Sequence, residues 1–271
     1  MSMYSLLEQV MASDGVGPVT RAMAAWDGRI TTEAIARVNE LRLLDSTGDR
    51  RDGTGRYRGS LLGACDRMQM LSYRGYQGPD EGSESTLIMA DGTYRHYFWQ
   101  EVGLSAGFLS SIEHKAAYAP WRFRGQLDGL GTDHKGEYGL ELKTTKWAFF
   151  KEVKDYLALC RLHRARVLDP ALGDPPKILV KWLTQIGGYR RAIGNPRFVL
   201  LVEVRSDRPD WFELVLGEDD TAVDDLARLT FERLARYEQA EVLPPVKPGY
   251  PSDNECSYWC SFTAICPSAT F

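Results

Sequence analysis

The centre of the chain carries two strand-like segments joined by a turn, and this pattern limits the possible folds more than any other. Segments 123–130 and 138–143 are interpreted as strands, and the turn-rich sequence GTDHKG separates them at 131–136. Turn-forming residues between two such segments predict an antiparallel β-hairpin. Any fold of this chain therefore has to build its sheet around this hairpin.

Helical patterns surround the hairpin. Apolar spacing and capping residues predict helices over 60–73, around 92–100, from 176 to about 193 and over 221–240, with strands at 198–204 and 211–216. The first 45 residues read as helical, and a Gly- and Arg-rich connection follows at 46–60. We therefore expect a helical N-terminal arm with its linker over residues 1–56 and a main domain over residues 57–271.

The charge of the chain is unevenly distributed. The formal net charge is −4 and the pI is near 5.7, which argues weakly against nucleic-acid binding. However, residues 143–197 hold twelve Lys or Arg against four Asp or Glu, whereas residues 203–255 hold six against fourteen. The asymmetry arises either from solvated faces that differ by chance or from a surface that attracts an anionic substrate.

Apolar runs long enough to cross a membrane are missing from the sequence, and its first ten residues carry no secretory leader. We therefore expect a soluble protein in the cytosol, without membrane partners.

Two carboxylates of the predicted hairpin suggest a metal site. Asp128 lies near the end of the first strand, and Glu141 on the second strand is followed by Leu142 and Lys143. Strand alternation places Glu141 and Lys143 on one face, and paired carboxylates suit Mg²⁺ or Mn²⁺. Such an ion with a nearby ammonium group suits phosphodiester hydrolysis. The alternative is an ordinary surface hairpin held by salt bridges.

Three further residues fit such a site. His96 lies upstream on a predicted helix that also carries Gln100 on the same face, and a neutral imidazole can complete a metal's ligand set. Gln185 and Tyr189 are four residues apart on the helix after Pro176, so both can face one groove and contact a substrate strand. The alternatives are a structural histidine and ordinary helix-surface residues.

The chain has five cysteines, an odd number that does not suit disulfides in a cytosolic protein. Cys256, Cys260 and Cys266 lie within the last sixteen residues, and Cys65 is far away in sequence. Four thiolates favour zinc or an iron–sulphur cluster over Mg²⁺. Cys160 lies in an apolar helical stretch and is excluded from this set.

The order of these motifs resembles the RecB-like branch of the PD-(D/E)XK nuclease superfamily. In plan the chain is most similar to the CRISPR-associated iron–sulphur exonucleases and to the nuclease domain of AddB. The resemblance covers residues 57–267, and the sequence SLLGACDR at 60–67 is similar to the Ser…Cys-x-Arg start of those families. It implies a restriction-endonuclease-like α/β core with a mixed central sheet flanked by helices and a cysteine-rich tail.

The resemblance also implies residue roles. His96, Asp128, Glu141 and the Leu142 carbonyl would bind Mg²⁺ or Mn²⁺, and Lys143 would be the catalytic lysine. Gln185 and Tyr189 would match a Gln-x3-Tyr motif that helps hold DNA. A 4Fe-4S cluster, or less expectedly zinc, would be bound by four cysteines: Cys65, Cys256, Cys260 and Cys266. Three residues separate Cys256 from Cys260, where the family has two, and the segment from Lys143 to Gln185 is longer than in the family.

The function implied by the resemblance is a metal-dependent exonuclease that cleaves DNA at free ends. Phage recombination, DNA repair or the capture of CRISPR spacers would each provide such substrates and the corresponding protein partners. Two other classes remain open. One is a DNA-binding or adaptor protein that keeps the cysteine site but does not cut, and the other is a structural zinc protein.

Overall fold

A computed structural model describes residues 16–46, 54–76, 83–206, 210–248, 250, 256 and 260–270 of the chain. Within these ranges none of the helices has the length and apolar character required to cross a membrane.

Seven α-helices and six β-strands make up the described part of the chain. The helices are α1 (Pro18–Ala25), α2 (Thr32–Ser46), α3 (Asp66–Tyr73), α4 (Ser83–Ala106), α5 (Trp147–Leu162), α6 (Lys177–Ile193) and α7 (Thr221–Gln239). The strands are β1 (Tyr57–Arg58), β2 (Ser111–Tyr118), β3 (Phe123–Asp133), β4 (Gly136–Thr145), β5 (Phe198–Val204) and β6 (Trp211–Leu216).

The six strands form one mixed sheet. β2 is antiparallel to β3, β3 to β4, and β5 to β6, whereas β4 and β5 run parallel. The short β1 pairs in parallel with the start of β3. Helices cover the sheet, so the expected α/β core with a mixed central sheet flanked by helices, as in a restriction-endonuclease-like fold, is confirmed.

The central hairpin opens into a fork. The pairing of β3 with β4 runs from the turn to Gly129 and Leu140, and it does not extend to Asp128. Beyond that pair β4 continues alongside β5 as far as Thr145. Asp128 therefore lies where the two strands diverge, which leaves space for polar side chains between them.

Apolar side chains on both faces of the sheet bury its central strands. On one face Leu142 and Leu201 pack in a cluster with Trp99 of α4. On the other face Leu200 packs with Leu183 of α6 in a second cluster. All seven residues of β5 are buried, and six of the seven are apolar, Glu203 being the exception. A strand that is covered on both faces does not alternate between apolar and polar residues.

The N-terminal helices α1 and α2 pack on the α4 side of the sheet. Val19 and Val38 have no exposed surface and belong to the same apolar cluster as Leu142. The carboxylate of Glu213 on β6 accepts hydrogen bonds from the backbone N–H groups of Val19 and Thr20, at 3.1 and 3.0 Å. It thereby satisfies two of the N–H groups that the start of a helix leaves without partners. The division of the chain at residue 56 stays a prediction.

Several sequence predictions need correction. The helix expected over 60–73 begins only at Asp66, because a 3-10 turn (Gly59–Leu61) and Gly63 with φ +80° precede it. The helix expected around 92–100 is the middle of the 24-residue helix α4. Strand β2 was not predicted, nor was β1.

The two acidic residues of the hairpin also lie elsewhere than expected. Asp128 and Glu141 are in the interior of β3 and β4 rather than near strand ends, because both strands extend into the predicted turn. A Cβ atom on Gly131 would meet the Phe108 carbonyl oxygen at 2.2 Å. This glycine therefore marks a close backbone contact inside a strand, whereas the sequence suggested a turn.

Candidate active site at the fork of the hairpin

The side chain of Asp128 fills the fork between β3 and β4. Its Oδ2 atom accepts a hydrogen bond from the backbone N–H of Leu142 over 2.6 Å, and only 8% of the residue is exposed. The carboxylate thus provides a partner for a strand N–H group that has left the ladder. Asp128 is held in place by the fold as well as available for chemistry.

His96 reaches Asp128 from α4. Its Nδ1 atom lies 2.9 Å from Asp128 Oδ1. Burial by itself lowers the pKa of His96, but the Asp128 carboxylate outweighs it, so the net shift is upward. Burial by itself raises the pKa of Asp128. His96 has the largest opposing effect, followed by Lys143 and the Leu142 N–H, so the pKa of Asp128 is lowered overall. The pair therefore favours a charged carboxylate beside a protonated imidazole when no cation is present.

Glu141 faces the same fork and is 3% exposed. Its Oε1 atom accepts hydrogen bonds from Lys143 Nζ at 2.5 Å and from Gln185 Nε2 at 2.8 Å. Among the described residues its Oε2 atom is buried with no hydrogen-bond partner. Burial raises the pKa of Glu141 to about 7, with Asp128 adding to the rise and Lys143 opposing it. The site thus holds a carboxylate that is only half satisfied.

Gln185 and Tyr189 lie behind Glu141 on α6. Both are buried, and Gln185 Nε2 also lies 3.2 Å from the Tyr189 hydroxyl. The hydroxyl donates to the Gln126 carbonyl over 2.9 Å. A Cβ atom on Gly125 would meet the Tyr189 ring at 2.5 Å, so this glycine makes room for the ring. Both side chains contact groups within the site, and their role in binding a substrate stays a prediction.

Gln100, one turn after His96, connects α4 to two strands. Its Nε2 atom donates to Glu113 Oε1 at 2.7 Å and to the Asp128 carbonyl at 3.1 Å. Both partners are acceptors, which fixes the orientation of the amide and leaves Gln100 Oε1 buried with no partner among the described residues. Glu113 has φ +54°, a rare value for a residue inside a strand.

Sequence reasoning placed Gln100 on the face of His96 but gave it no role, and it missed Glu113. Glu113 lies on the unpredicted strand β2, so no sequence signal pointed to it.

The predicted metal ligands are therefore neighbours. His96, Asp128 and Glu141 interact with one another electrostatically, and Lys143 lies beside them. In the described part of the chain, however, no three His, Cys, Asp or Glu side chains are already arranged around a single ion position. The donor chemistry fits a hard divalent cation, since the set has an imidazole and two carboxylates. One oxygen of the Glu141 carboxylate is buried with no partner among the described residues. Binding would require His96 to exchange its contact with Asp128 for the ion.

A second group of predicted ligands meets at the other end of the sequence. Cys65, Cys256, Cys260 and Cys266 line one small cavity, together with Met68, Leu71, Lys247, Tyr250 and Thr263. Cys160 is instead buried in the apolar cluster around α6. The fold thus brings the four predicted cysteines together and separates the fifth, and the soft donor set fits zinc or an iron–sulphur cluster.

Solved structures that resemble the chain include SSO0001, at 14% identity and a TM-score of 0.44, with 89% of this chain and 98% of that chain covered. An alkaline exonuclease, LHK-Exo from Laribacter hongkongensis, has 15% identity and a TM-score of 0.38, and the match covers 70% of this chain and 90% of that chain. The structure of LHK-Exo in complex with dAMP has 17% sequence identity and a TM-score of 0.38, and the match covers 69% of this chain and 89% of that chain. No protein-family model and no curated protein matches the sequence. Similarity at this level assigns no role to any residue of this chain.

Proposed function

We propose that the chain is a divalent-metal-dependent nuclease that hydrolyses DNA phosphodiester bonds at free ends. The observation that carries the proposal concerns Glu141, which lies beside Asp128. Its Oε2 atom is buried and has no hydrogen-bond partner among the described residues. A buried acceptor without a partner is costly, and two neighbouring carboxylates repel each other. A divalent cation between them removes both costs.

The ligands of that cation would be the side chains of His96, Asp128 and Glu141 with the carbonyl of Leu142. The N–H and C=O groups of a strand residue point toward the same neighbouring strand. Because the Leu142 N–H points at Asp128, the Leu142 carbonyl is on the same side of β4. When bound, such an ion polarises the scissile phosphate and lowers the pKa of a water molecule.

The remaining residues of the site would stabilise the charge that develops on the phosphate and hold the Glu141 carboxylate in its orientation. Lys143, which is 2.5 Å from Glu141, places an ammonium group where negative charge develops on the phosphate. Gln185 fixes the carboxylate of Glu141, and Tyr189 extends this chain of contacts to β3. This geometry favours an action of Gln185 and Tyr189 through Glu141, rather than by direct contact with DNA.

The charge distribution supports an anionic substrate. The segment of residues 143–197, which contains Lys143, α5 and α6, holds twelve basic against four acidic residues. Attraction between such a segment and a phosphate backbone would raise the local concentration of DNA near the fork.

The cysteine cavity would hold a 4Fe-4S cluster, with zinc as the alternative. The four cysteines line a common cavity, and their thiolates suit either metal centre. The family resemblance of the sequence favours the cluster. It would join the segment before α3 to the C-terminal tail.

The decisive experiment is digestion of linear and circular DNA, single- and double-stranded and labelled at one end, with Mg²⁺, Mn²⁺ or EDTA. We expect loss of linear DNA from its ends, dependent on the metal, and survival of the circles. Lys143→Ala should lower the rate about 100-fold or more. Arg228→Ala, which removes a half-exposed partner of Asp225 and Glu232 outside this basic segment, serves as the control. Binding of DNA without any cleavage would favour the non-cutting adaptor instead.

A further inference from the structure

A buried cation lies beside the cysteine cavity. Arg67 is on α3, two residues after Cys65, and is 7% exposed. Arginine is rarely buried to this extent unless its charge and its donors find partners. The partners of Arg67 therefore indicate what the residue does.

Every hydrogen bond of Arg67 within the described residues goes to a backbone carbonyl oxygen of the C-terminal segment. Nε and Nη2 donate to the Cys266 carbonyl at 3.0 and 2.6 Å. Nη1 donates to Pro244 at 2.7 Å, and Nη2 also donates to Ala269 at 3.0 Å. One side chain close to Cys65 thus holds the backbone of the C-terminal segment at three residues, one of which is Cys266.

Carbonyl oxygens satisfy the donors of Arg67, and in the described part of the chain no carboxylate pairs with its charge. The neighbouring carboxylate of Asp66 is paired with Arg233, whose Nη2 lies 2.9 Å from Asp66 Oδ1. The cavity is also lined by Lys247, and no acidic residue is among the described residues that line it. An anionic group in the cavity would provide the missing counter-charge.

A metal centre held by four thiolates is such a group, since the thiolates outweigh the positive charge of either Zn²⁺ or a four-iron cluster. We propose that Arg67 is the positioning residue of the cysteine centre. It fastens the tail so that Cys266 is near Cys65 before any metal binds, and its charge then stabilises the anionic centre. The stabilising role of the charge rests on the proposed metal centre, whereas the fastening of the tail does not.

Other contacts support a tail that docks without metal. Phe262 packs with Met68 and Leu71 in a separate apolar cluster. The Thr263 hydroxyl donates to the Cys260 carbonyl at 2.9 Å, and the Tyr250 hydroxyl donates to the Thr263 carbonyl at 2.8 Å. The two hydrogen bonds go to backbone carbonyls and use no cysteine side chain, although the apolar cluster also contains Cys266.

The first test is amide hydrogen exchange on the full-length, metal-free protein. The N–H groups of Cys266 and Ala269 are hydrogen-bonded within the tail. We expect both to exchange about tenfold or more faster in Arg67→Gln than in the parent, because hydrogen bonds from a charged donor are lost. Arg233→Gln, which breaks the pair with Asp66 but touches no tail carbonyl, is the control and should leave these rates unchanged.

The outcomes of the exchange experiment are distinct. Tail amides that exchange in the metal-free parent as fast as in an unstructured peptide would overturn the fastening role without any variant. Equal protection in the parent and Arg67→Gln would overturn it as well. Should Arg67→Gln fail to fold, Arg67→Lys keeps the charge but has fewer donors, and it should still speed the exchange of both amides.

The second test asks whether the positive charge of Arg67 stabilises the metal centre. Purified parent, Arg67→Lys and Arg67→Met proteins are compared for iron, sulphide and zinc content and, where a cluster is present, for midpoint potential. Arg67→Met should bind several-fold less metal and have a lower potential, since a positive charge favours the reduced cluster. Arg67→Lys should stay closer to the parent. Equal metal content and potential in all three, or no metal in the parent, would overturn the counter-charge role, and the exchange result would still decide the fastening role.

Discussion

The carboxylate of Asp128 accepts a hydrogen bond from the backbone N–H of Leu142 over 2.6 Å, at the point where β3 and β4 part. The side chain of a predicted catalytic residue therefore replaces a strand partner. In the proposed site the charge of Asp128 would hold the cation, whereas its hydrogen bond stabilises the fold. We therefore expect different effects from substitutions that remove the charge alone and from those that remove both.

Asp128→Asn should abolish cleavage but preserve stability. The amide oxygen can still accept from Leu142, whereas the negative charge that would hold the cation is gone. We expect activity to fall about 100-fold or more, with unfolding free energy within about 1 kcal/mol of the parent. Asp128→Ala should lose both activity and stability, because the charge is removed and the Leu142 N–H is also left buried without its Asp128 partner. Cleavage rates and urea denaturation measure the two effects, and full activity in Asp128→Asn would refute the role of the charge.

Glu141→Gln should change how the stability of the metal-free protein depends on pH. Burial raises the pKa of Glu141 to about 7, from an ordinary value of 4.5. Between these two pH values the folded protein holds a proton that the unfolded chain releases, so the contribution of Glu141 to stability falls as pH rises. The stability of the glutamine variant relative to the parent should therefore grow through this window, by on the order of 2 kcal/mol.

Denaturation in EDTA at a series of pH values measures this difference. Glu137→Gln is the control, since Glu137 is exposed on the same strand, and its difference from the parent should be flat. A difference that does not vary with pH for Glu141→Gln would show that the carboxyl has no raised pKa.

Gln185→Leu should separate two roles for the residue on α6. If Gln185 positions Glu141 from a buried site, as its 2.8 Å contact indicates, kcat should fall about tenfold while KM for DNA stays near that of the parent. If it contacts DNA instead, KM should rise. Thr184→Val, a neighbouring buried position whose hydroxyl donates only to the Val180 carbonyl, controls for damage to helix packing. Steady-state kinetics with linear DNA distinguish the two results.

Glu213→Ala should loosen the N-terminal helix α1. The carboxylate caps the N–H groups of Val19 and Thr20, and its loss should cost about 1–2 kcal/mol, as for other helix caps. Glu213→Gln retains one acceptor and should cost less. Hydrogen exchange at these two amides and thermal denaturation measure the effect, with the exposed Glu218→Ala as a control. Unchanged exchange in Glu213→Ala would mean that packing of Val19 alone holds the helix.

Much of the candidate site could be predicted from local sequence. Strand alternation predicts that Glu141 and Lys143 share a face, and helix spacing predicts the same for Gln185 and Tyr189. Their selection as site residues, together with Asp128, came from the resemblance to a nuclease family. The strands 198–204 and 211–216 were predicted with their observed limits from local sequence as well. The function assigned to these residues stays a proposal.

Contacts between distant segments could not be predicted in this way. The edge strand β2 alternates too weakly to be recognised, so the pair of Glu113 and Gln100 behind Asp128 was missed. The four hydrogen bonds from Arg67 to the tail join residues about two hundred positions apart.

For the strands and helices that it predicted, the sequence by itself determined which side chains share a face, because backbone periodicity fixes this. Only the tertiary structure decided that β3 and β4 separate at Asp128 and that Arg67 holds the cysteine tail. It also decided that a buried oxygen of Glu141 finds no partner in the described part of the chain. These features depend on burial and on which distant groups become neighbours, and both arise only when the whole chain packs.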